Sequence, residues 1–174
     1  MKNINDLRAA ITKREGLARP NRFRIEISGG RQDNVIGPVV SYFCDSVNMP
    51  GRQITTSDHS TGMKSYKRPY AYINDDVTMT FLVTNDFLQW KYFKDWTDQI
   101  ISSNHEISYK TDYIREVSIY TMDINDKVTR GIKLTNAFPV TMNSIELSSE
   151  SENTTTKLTV MLTYDDWTDI NLGS

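Results

Sequence analysis

Cysteine, histidine and long apolar runs are scarce in this 174-residue sequence, and each shortage argues against a particular class of protein. The single cysteine, Cys44, cannot form an internal disulfide framework or a cysteine-rich zinc site. His59 and His105 stand far apart, outside any spacing that a zinc site or a catalytic triad requires. No apolar run approaches the roughly 20 residues of a membrane span, and the first residues lack the apolar block of a secretory signal. We therefore expect folding in a reducing, cytosolic compartment.

An excess of one charge sign is also missing, because 20 Lys and Arg residues stand against 22 Asp and Glu residues. A net charge of −2 is far from the basic excess of a dedicated nucleic-acid-binding protein. The distribution is uneven, since residues 2–24 hold seven basic and two acidic side chains whereas residues 146–169 hold six acidic side chains and one lysine. Either each end only keeps its own surface hydrated, or copies of the chain meet basic surface to acidic surface in a head-to-tail contact. The candidates for such a subunit interface are Arg14, Arg19, Arg22, Glu150, Glu152, Asp165 and Asp166.

Alternation of apolar and polar residues predicts a mainly β fold. Within residues 156–165 Leu158, Val160, Leu162 and Tyr164 are apolar and only Met161 breaks the alternation, a period of two that indicates a half-buried strand. Similar patterns predict strands over 23–28, 39–47 and 77–83. The opposite face of two of these strands is largely threonine, which suits a sheet rather than catalysis. Because most strands are adjacent in sequence, we expect an antiparallel sandwich or barrel.

Two helices are predicted beside the strands of this single domain, which spans 1–174. Apolar residues at helical spacing predict a short helix over 4–15, within an N-terminal arm of residues 1–16. A longer helix over 86–101 should begin at a cap formed by Asn85 or Asp86 and cover one flank of the sheet. Its predicted buried residues are Trp90, Phe93, Trp96 and Ile100.

A long polar hairpin is predicted over residues 52–72, with a turn at Thr61–Gly62 and little core of its own. Its segment KSYKRPYAY, residues 64–72, mixes basic and tyrosine side chains, as a groove for single-stranded nucleic acid does. Hairpins also use tyrosine for packing and lysine to protect an edge. We favour the second interpretation, because this is one isolated segment in an acidic protein.

Acidic pairs occur at Asp75–Asp76 and Asp165–Asp166. Adjacent strand residues point to opposite faces, so such pairs converge poorly on one ion or one substrate atom. Capping of strand ends and solubility explain them better than a metal site, which needs several oxygen ligands. The sequence therefore predicts no catalytic, cofactor or metal site, and we expect a protein that is not an enzyme.

Four segments in order resemble the tail tube protein of contractile-tailed, T-even-like bacteriophages. Each motif is short, but their order and spacing over nearly the whole chain make the resemblance specific. The segments are LARPNRFRIEIS (17–28), FCDSVNMPGR (43–52), DDVTMTFLVTND with KYFKDWTDQI (75–86 and 91–100), and NAFPVTMNSIELSSESENTTTKLTVMLTYDDW (136–167).

The resemblance implies a β-sandwich or barrel subunit with a flanking helix, whose copies form hexameric rings. The rings would stack into a hollow tube with a continuous β-barrel wall, inside the tail sheath and between baseplate and tail terminator proteins. DNA would pass through the lumen without specific binding, and the protein would be made in the host cytoplasm and reside in the virion. Candidates for the lumen or for contacts between rings are Thr55, Thr56, Lys64, Tyr66 and Lys67.

Two classes of alternative remain open from the sequence. The chain could be a tube-initiating baseplate protein, or the inner tube of an extracellular contractile injection system, because the resemblance extends to both. The second class is an enzyme or a nucleic-acid module, whose only candidate site is the Tyr and Lys hairpin; binding of single-stranded DNA there would depend on salt.

Overall fold

The computed structural model describes residues 3–13, 17–30, 35–101, 106–147 and 155–171 of the chain. The helices in these ranges are α1 (Ile4–Lys13), α2 (Gly37–Tyr42), α3 (Leu88–Ile100) and α4 (Lys110–Tyr113). The strands are β1 (Phe23–Ser28), β2 (Cys44–Val47), β3 (Arg52–Thr61), β4 (Lys64–Asn74), β5 (Val77–Leu82), β6 (Arg115–Met122), β7 (Val128–Met142), β8 (Lys157–Thr163) and β9 (Asp166–Ile170).

Two antiparallel sheets share strand β7. Its first half pairs with β6 on one side and β9 on the other, and β1 extends this sheet beyond β6. Its second half pairs with β8, and β5 and then β2 extend the second sheet. The fold is therefore mainly β and antiparallel with a flanking helix and a short N-terminal helix, as predicted.

Strand β7 turns from one sheet to the other near the segment Ala137–Phe138–Pro139. Asn136 has a left-handed backbone with φ of 55°, a conformation that asparagine tolerates better than most residues. The pairing with β8 then shifts register between Pro139 and Thr141. A local irregularity of this kind bends a strand, so one chain segment can serve both sheets.

The core lies where alternate strand residues meet α3. Val77, Met79 and Phe81 of β5 and the predicted residues of β8 are buried, which confirms the alternation seen in the sequence. The threonine faces lie opposite, and the hydroxyl groups of Thr80 and Thr159 are 3.4 Å apart across the β5–β8 pair. Threonine thus fills a half-exposed second face of the sheet.

Helix α3 buries a face rotated from the predicted one. Its buried residues are Gln89, Tyr92, Phe93 and Trp96, whereas Trp90 and Ile100 are only half-buried. The predicted cap is also wrong, because the N-cap residue is Phe87, with φ of 54° and no side-chain capping bond. Gln89 explains both differences: its side-chain oxygen accepts hydrogen bonds from the backbone and hydroxyl of Thr84, which anchors the first turn inward.

The predicted strand over 39–47 is wrong in its first half, because α2 occupies Gly37–Tyr42 and only Cys44–Val47 is a strand. Pro38 lies in the first turn of the helix, where its missing N–H costs nothing. Val40 is fully buried, so packing outweighs the local preference of the segment.

Candidate assembly surfaces and the hairpin base

Strands β3 and β4 form a two-stranded sheet separate from the rest of the fold. Their register runs from the pair Arg52–Asn74 to the pair Thr61–Lys64, with a bulge next to Thr55. Gly62 closes the turn with φ of 65°, a left-handed conformation that glycine adopts without strain. This hairpin occupies the region of the predicted one, and β4 extends it to Asn74.

Most apolar side chains of the hairpin have no cover within the described part of the subunit. Residues 64–73 of β4 are all exposed. The exposed large side chains and their exposed fractions are Ile54 66%, Tyr66 52%, Tyr70 67%, Tyr72 54% and Ile73 60%. An isolated two-stranded hairpin is marginally stable in water, so a partner surface is expected to cover it.

The other end of the hairpin is held by the corner between β8 and β9, residues Tyr164–Trp167. Arg52 Nη2 lies 2.8 Å from Asp166 Oδ1, and the guanidinium lies over the rings of Tyr72 and Trp167, at 4.5 and 5.0 Å from their centroids. The Asn74 amide donates to the Asp165 carbonyl oxygen at 3.2 Å. We call Arg52, Tyr72, Asn74 and Tyr164–Trp167 the hairpin base.

Asp75, just before β5, makes three further contacts at this end of the hairpin, one of which is a hydrogen bond from the Gln53 side-chain amide to its Oδ1 atom at 3.0 Å. The Tyr164 hydroxyl donates to the Asp75 carbonyl oxygen at 2.7 Å, and the Asp75 backbone N–H donates to the Gly51 carbonyl oxygen at 3.1 Å. Burial, followed by the nearby negative charge of Asp75, raises the pKa of Tyr164 above its usual range, so the phenol stays protonated and continues to donate. A Cβ atom on Gly51 would overlap Asp75 Oδ2, so a side chain there would displace this carboxylate.

Comparison with known proteins decides the family. Residues 18–169 match the family model described as phage tail tube protein. The chain belongs to the phage tail tube protein family. A relative within the family, the tail tube protein of Serratia phage KSP90, is 24% identical over 170 residues, which cover 94% of this chain and 95% of that protein.

Solved structures of contractile injection systems share the fold of this tail tube family member. One is the sheath–tube complex of the extracellular contractile injection system PVC in its extended state, with a TM-score of 0.67 at 15% identity, covering 90% of this chain and 93% of that one. Another is the tube-terminating cap of the anti-feeding prophage, with a TM-score of 0.66 at 16% identity, covering 88% of this chain and 91% of that one. At these identities the likeness establishes the fold alone.

The predicted lumen and ring-contact residues all lie on the hairpin. Thr55 and Thr56 lie at the bulge, opposite Ala71 and Pro69. Lys64 lies next to the turn, and the Tyr66 ring contacts His59 edge to face, with 5.4 Å between centroids. Lys67 lies opposite Asp58, so the basic charge of KSYKRPYAY has an acidic neighbour across the strands.

Three of the charged residues predicted to lie at a subunit interface, Arg22, Asp165 and Asp166, form ion pairs within the tail tube subunit itself. Arg22 Nη1 is 2.5 Å from Asp126 Oδ1, Lys110 Nζ is 2.7 Å from Asp165 Oδ2, and Asp166 binds Arg52. Hydrogen bonds from Lys110 and Asn136 lower the pKa of Asp165. Sequence reasoning missed these pairs because the partners lie 104, 55 and 114 residues apart.

Of the remaining interface candidates, only Arg19 lies within the described ranges. Its side chain is exposed and forms no ion pair with any other described residue. Arg14, Glu150 and Glu152 lie outside the described residues, as does His105. The prediction of contacts between basic and acidic ends stays a prediction, and Arg19 is the residue best placed to test it.

Two further basic side chains of this family member are also paired locally. Lys133 pairs with Glu116 at 2.7 Å, and Arg24 pairs with Glu26 at 3.0 Å on the outer face of the first sheet. The Arg24 guanidinium also lies 5.1 Å from the centroid of the Tyr120 ring. A strand face with paired charges offers phosphates little net attraction.

Residues capable of chemistry are dispersed in the described part of the chain. No group of three or more His, Cys, Asp or Glu side chains among the described residues could hold a metal ion. Burial raises the pKa of the Cys44 thiol to about 12, which leaves it protonated and a poor nucleophile. Of the helices in the described ranges, none has the length and apolarity to span a membrane.

Proposed function

We propose that copies of this chain form closed hexameric rings, which stack into the hollow inner tube of a contractile phage tail. The tube would be the conduit for genome delivery after the sheath contracts. Membership of the phage tail tube family supports the tube role. The assembly proposal rests on one observation of the subunit: most apolar side chains of the hairpin are exposed in the described structure.

Exposed strand edges support the same proposal. Strands β1 and β2 end the two sheets, and β9 pairs only with β7 among the described strands. Unpaired strand edges in a soluble protein invite pairing with another chain. Ring closure would pair such edges between neighbours and yield a continuous barrel wall, which this subunit cannot close alone.

The lumen would conduct DNA without specific binding. Every phosphate that a protein neutralises releases counterions and adds affinity, which would slow the passage of DNA. The near balance of charge in the chain and the local ion pairs of its exposed faces fit a surface that does not retain phosphates. The hairpin residues Thr55, Thr56, Lys64, Tyr66 and Lys67 are our candidates for this lining or for contacts between rings.

The proposed partners are those of a tail tube: the sheath outside, the baseplate below and the tail terminator above. The sheath–tube complex of the PVC injection system and the cap of the anti-feeding prophage contain subunits of this fold, which supports such partners. The protein would be made in the host bacterial cytoplasm and reside in the virion. We propose a purely structural role without enzymatic activity.

Purified protein is expected to assemble by itself. Sedimentation velocity at rising concentration should show conversion of subunits into rings or larger tubes, and added salt should weaken this only modestly, because exposed ion pairs are worth about 0–1 kcal/mol each. A protein that stays monomeric at high concentration, even with the other tail proteins present, would contradict the proposal.

Arg19→Glu should slow assembly without changing the fold. Arg19 is exposed and has no ion-pair partner among the described residues, so reversing its charge should leave the melting temperature nearly unchanged. The new carboxylate would repel an acidic surface on a neighbouring copy. Light scattering in low salt measures the rate. Reversal of Arg22 is a less clean test, because it would place a carboxylate against Asp126 of the same chain. Assembly of Arg19→Glu at the wild-type rate would show that this charge is not used between subunits.

A further inference from the structure

The hairpin joins the subunit body through very few side chains. Its strands pair only with each other, so no backbone ladder to the main sheets sets its direction. At this end of the hairpin, Arg52 and Asn74 hydrogen-bond to the corner between β8 and β9, and the Gln53 amide donates to Asp75. A two-stranded ribbon attached at one end can pivot unless such contacts stop it.

Arg52 is at the centre of these contacts. Two aromatic rings flank its side chain: the Tyr72 ring belongs to the hairpin, and the Trp167 ring belongs to the subunit body. The guanidinium lies over both rings and also reaches the Asp166 carboxylate at 2.8 Å. Asp166 in turn accepts the backbone N–H of Trp167 at 2.8 Å, which fixes the carboxylate on the body.

We propose that Arg52 is a positioning residue that sets the direction in which the hairpin leaves the subunit, and thereby how fast subunits assemble. This inference rests on the proposed function, because it assumes that the hairpin contacts neighbouring subunits. A hairpin that is already held in one direction does not lose orientational entropy when it binds its partner surface. Such preorganisation raises the fraction of encounters between subunits that lead to assembly.

The chemistry of this position calls for arginine. A guanidinium is planar, so it can lie over aromatic rings while its edge donates to a carboxylate. A lysine ammonium at the same site keeps the charge but cannot make both contacts in that geometry. Arg52→Lys should therefore behave between the wild type and Arg52→Gln, which loses the charge as well.

The expected size of the effect follows from the exposure of the pair. The side chains of Arg52 and Asp166 are 37% and 46% exposed, so the ion pair alone is weak. The two ring contacts add to it. Together they should favour the docked direction by roughly tenfold.

Single-molecule energy transfer on freely diffusing subunits at picomolar concentration measures the hairpin direction before any assembly. Dyes are attached at Met63→Cys on the fully exposed hairpin tip and at Asn125→Cys in the exposed β6–β7 turn. Cys44 should react slowly, since burial raises the pKa of its thiol to about 12. We expect one narrow transfer peak for the wild type, and a broad or second peak for Arg52→Gln and for Asp166→Asn.

Arg130→Gln is the matched control. Arg130 Nη2 also lies 2.8 Å from an Asp of β9, Asp169 Oδ1; this pair is more exposed than that of Arg52, and it does not involve the hairpin. This variant should keep the narrow peak. Circular dichroism checks that all variants keep their strands.

The unlabelled variants are then compared for assembly rate by light scattering. Arg52→Gln should assemble about tenfold more slowly than the wild type and Arg130→Gln, in line with the loss of the docked population. An unchanged transfer peak in both Arg52→Gln and Asp166→Asn would overturn the proposal. A broad peak with wild-type assembly rate would also overturn it, because direction would then not matter. If the wild type itself forms no rings, the proposed function fails, while the transfer peaks still decide whether Arg52 holds the hairpin.

Discussion

Replacing Phe93 with alanine is expected to lower the free energy of unfolding by about 3–5 kcal/mol, as for other buried aromatic residues. Phe93 is fully buried at the centre of the α3 interface. Its ring lies 4.9 Å from the Phe81 ring of β5, 5.2 Å from that of Tyr92 and 6.1 Å from that of Trp96. Removal of the ring leaves a cavity between helix and sheet that rigid strands cannot close. Urea unfolding of dilute subunits, followed by tryptophan fluorescence, measures the change.

Lys91→Ala is the control on the same helix, because Lys91 is exposed. Its effect should stay within about 0.5 kcal/mol. A loss below roughly 1 kcal/mol for Phe93→Ala would mean that this face of α3 is not packed as described.

Removal of the hairpin is expected to abolish assembly and leave a folded subunit. Ile54 and Tyr72 are directly opposite each other, so residues 55–71 can be replaced by the dipeptide Asn-Gly, which forms a tight turn between paired strand residues. The replacement removes mostly exposed residues and keeps Arg52 and the rest of the hairpin base. Because the main sheets do not pair with the hairpin, their core should survive. Electron microscopy and sedimentation measure assembly.

The melting temperature of the shortened subunit serves as the control for folding. It should lie within a few degrees of that of the unassembled wild type, since few buried residues are lost. Tubes of normal diameter formed by the shortened chain would show that the hairpin is dispensable, and loss of the fold would show that the hairpin belongs to the core.

The positions of strands could be predicted where one face of the strand is buried and the other is accessible to solvent. Alternation located β5 and β8 because both lie between the core and a half-exposed face. The predicted strand failed at Val39 and Val40, where a short helix begins at Gly37, has Pro38 in its first turn and buries Val40. The apolar pattern also misjudged the face of α3, because a buried polar residue, Gln89, carries no hydrophobic signal.

The hairpin could be predicted, but not the contacts that hold it. Its polar composition and glycine turn are local features of the sequence. Arg52 and Asp166 lie 114 residues apart, so their contact depends on how β7 brings β9 beside the hairpin. For the same reason, charges assigned to a neighbouring copy, such as Arg22 and Asp165, pair within the subunit.

Cryo-electron microscopy of the purified, full-length protein tests the central claim most directly. We expect hollow tubes or stacked rings of uniform diameter with hexameric symmetry, in which the hairpin of each subunit lies against a neighbouring copy and its tyrosines are buried. Dispersed monomers at high concentration, or rings whose hairpins remain in solvent, would contradict the account.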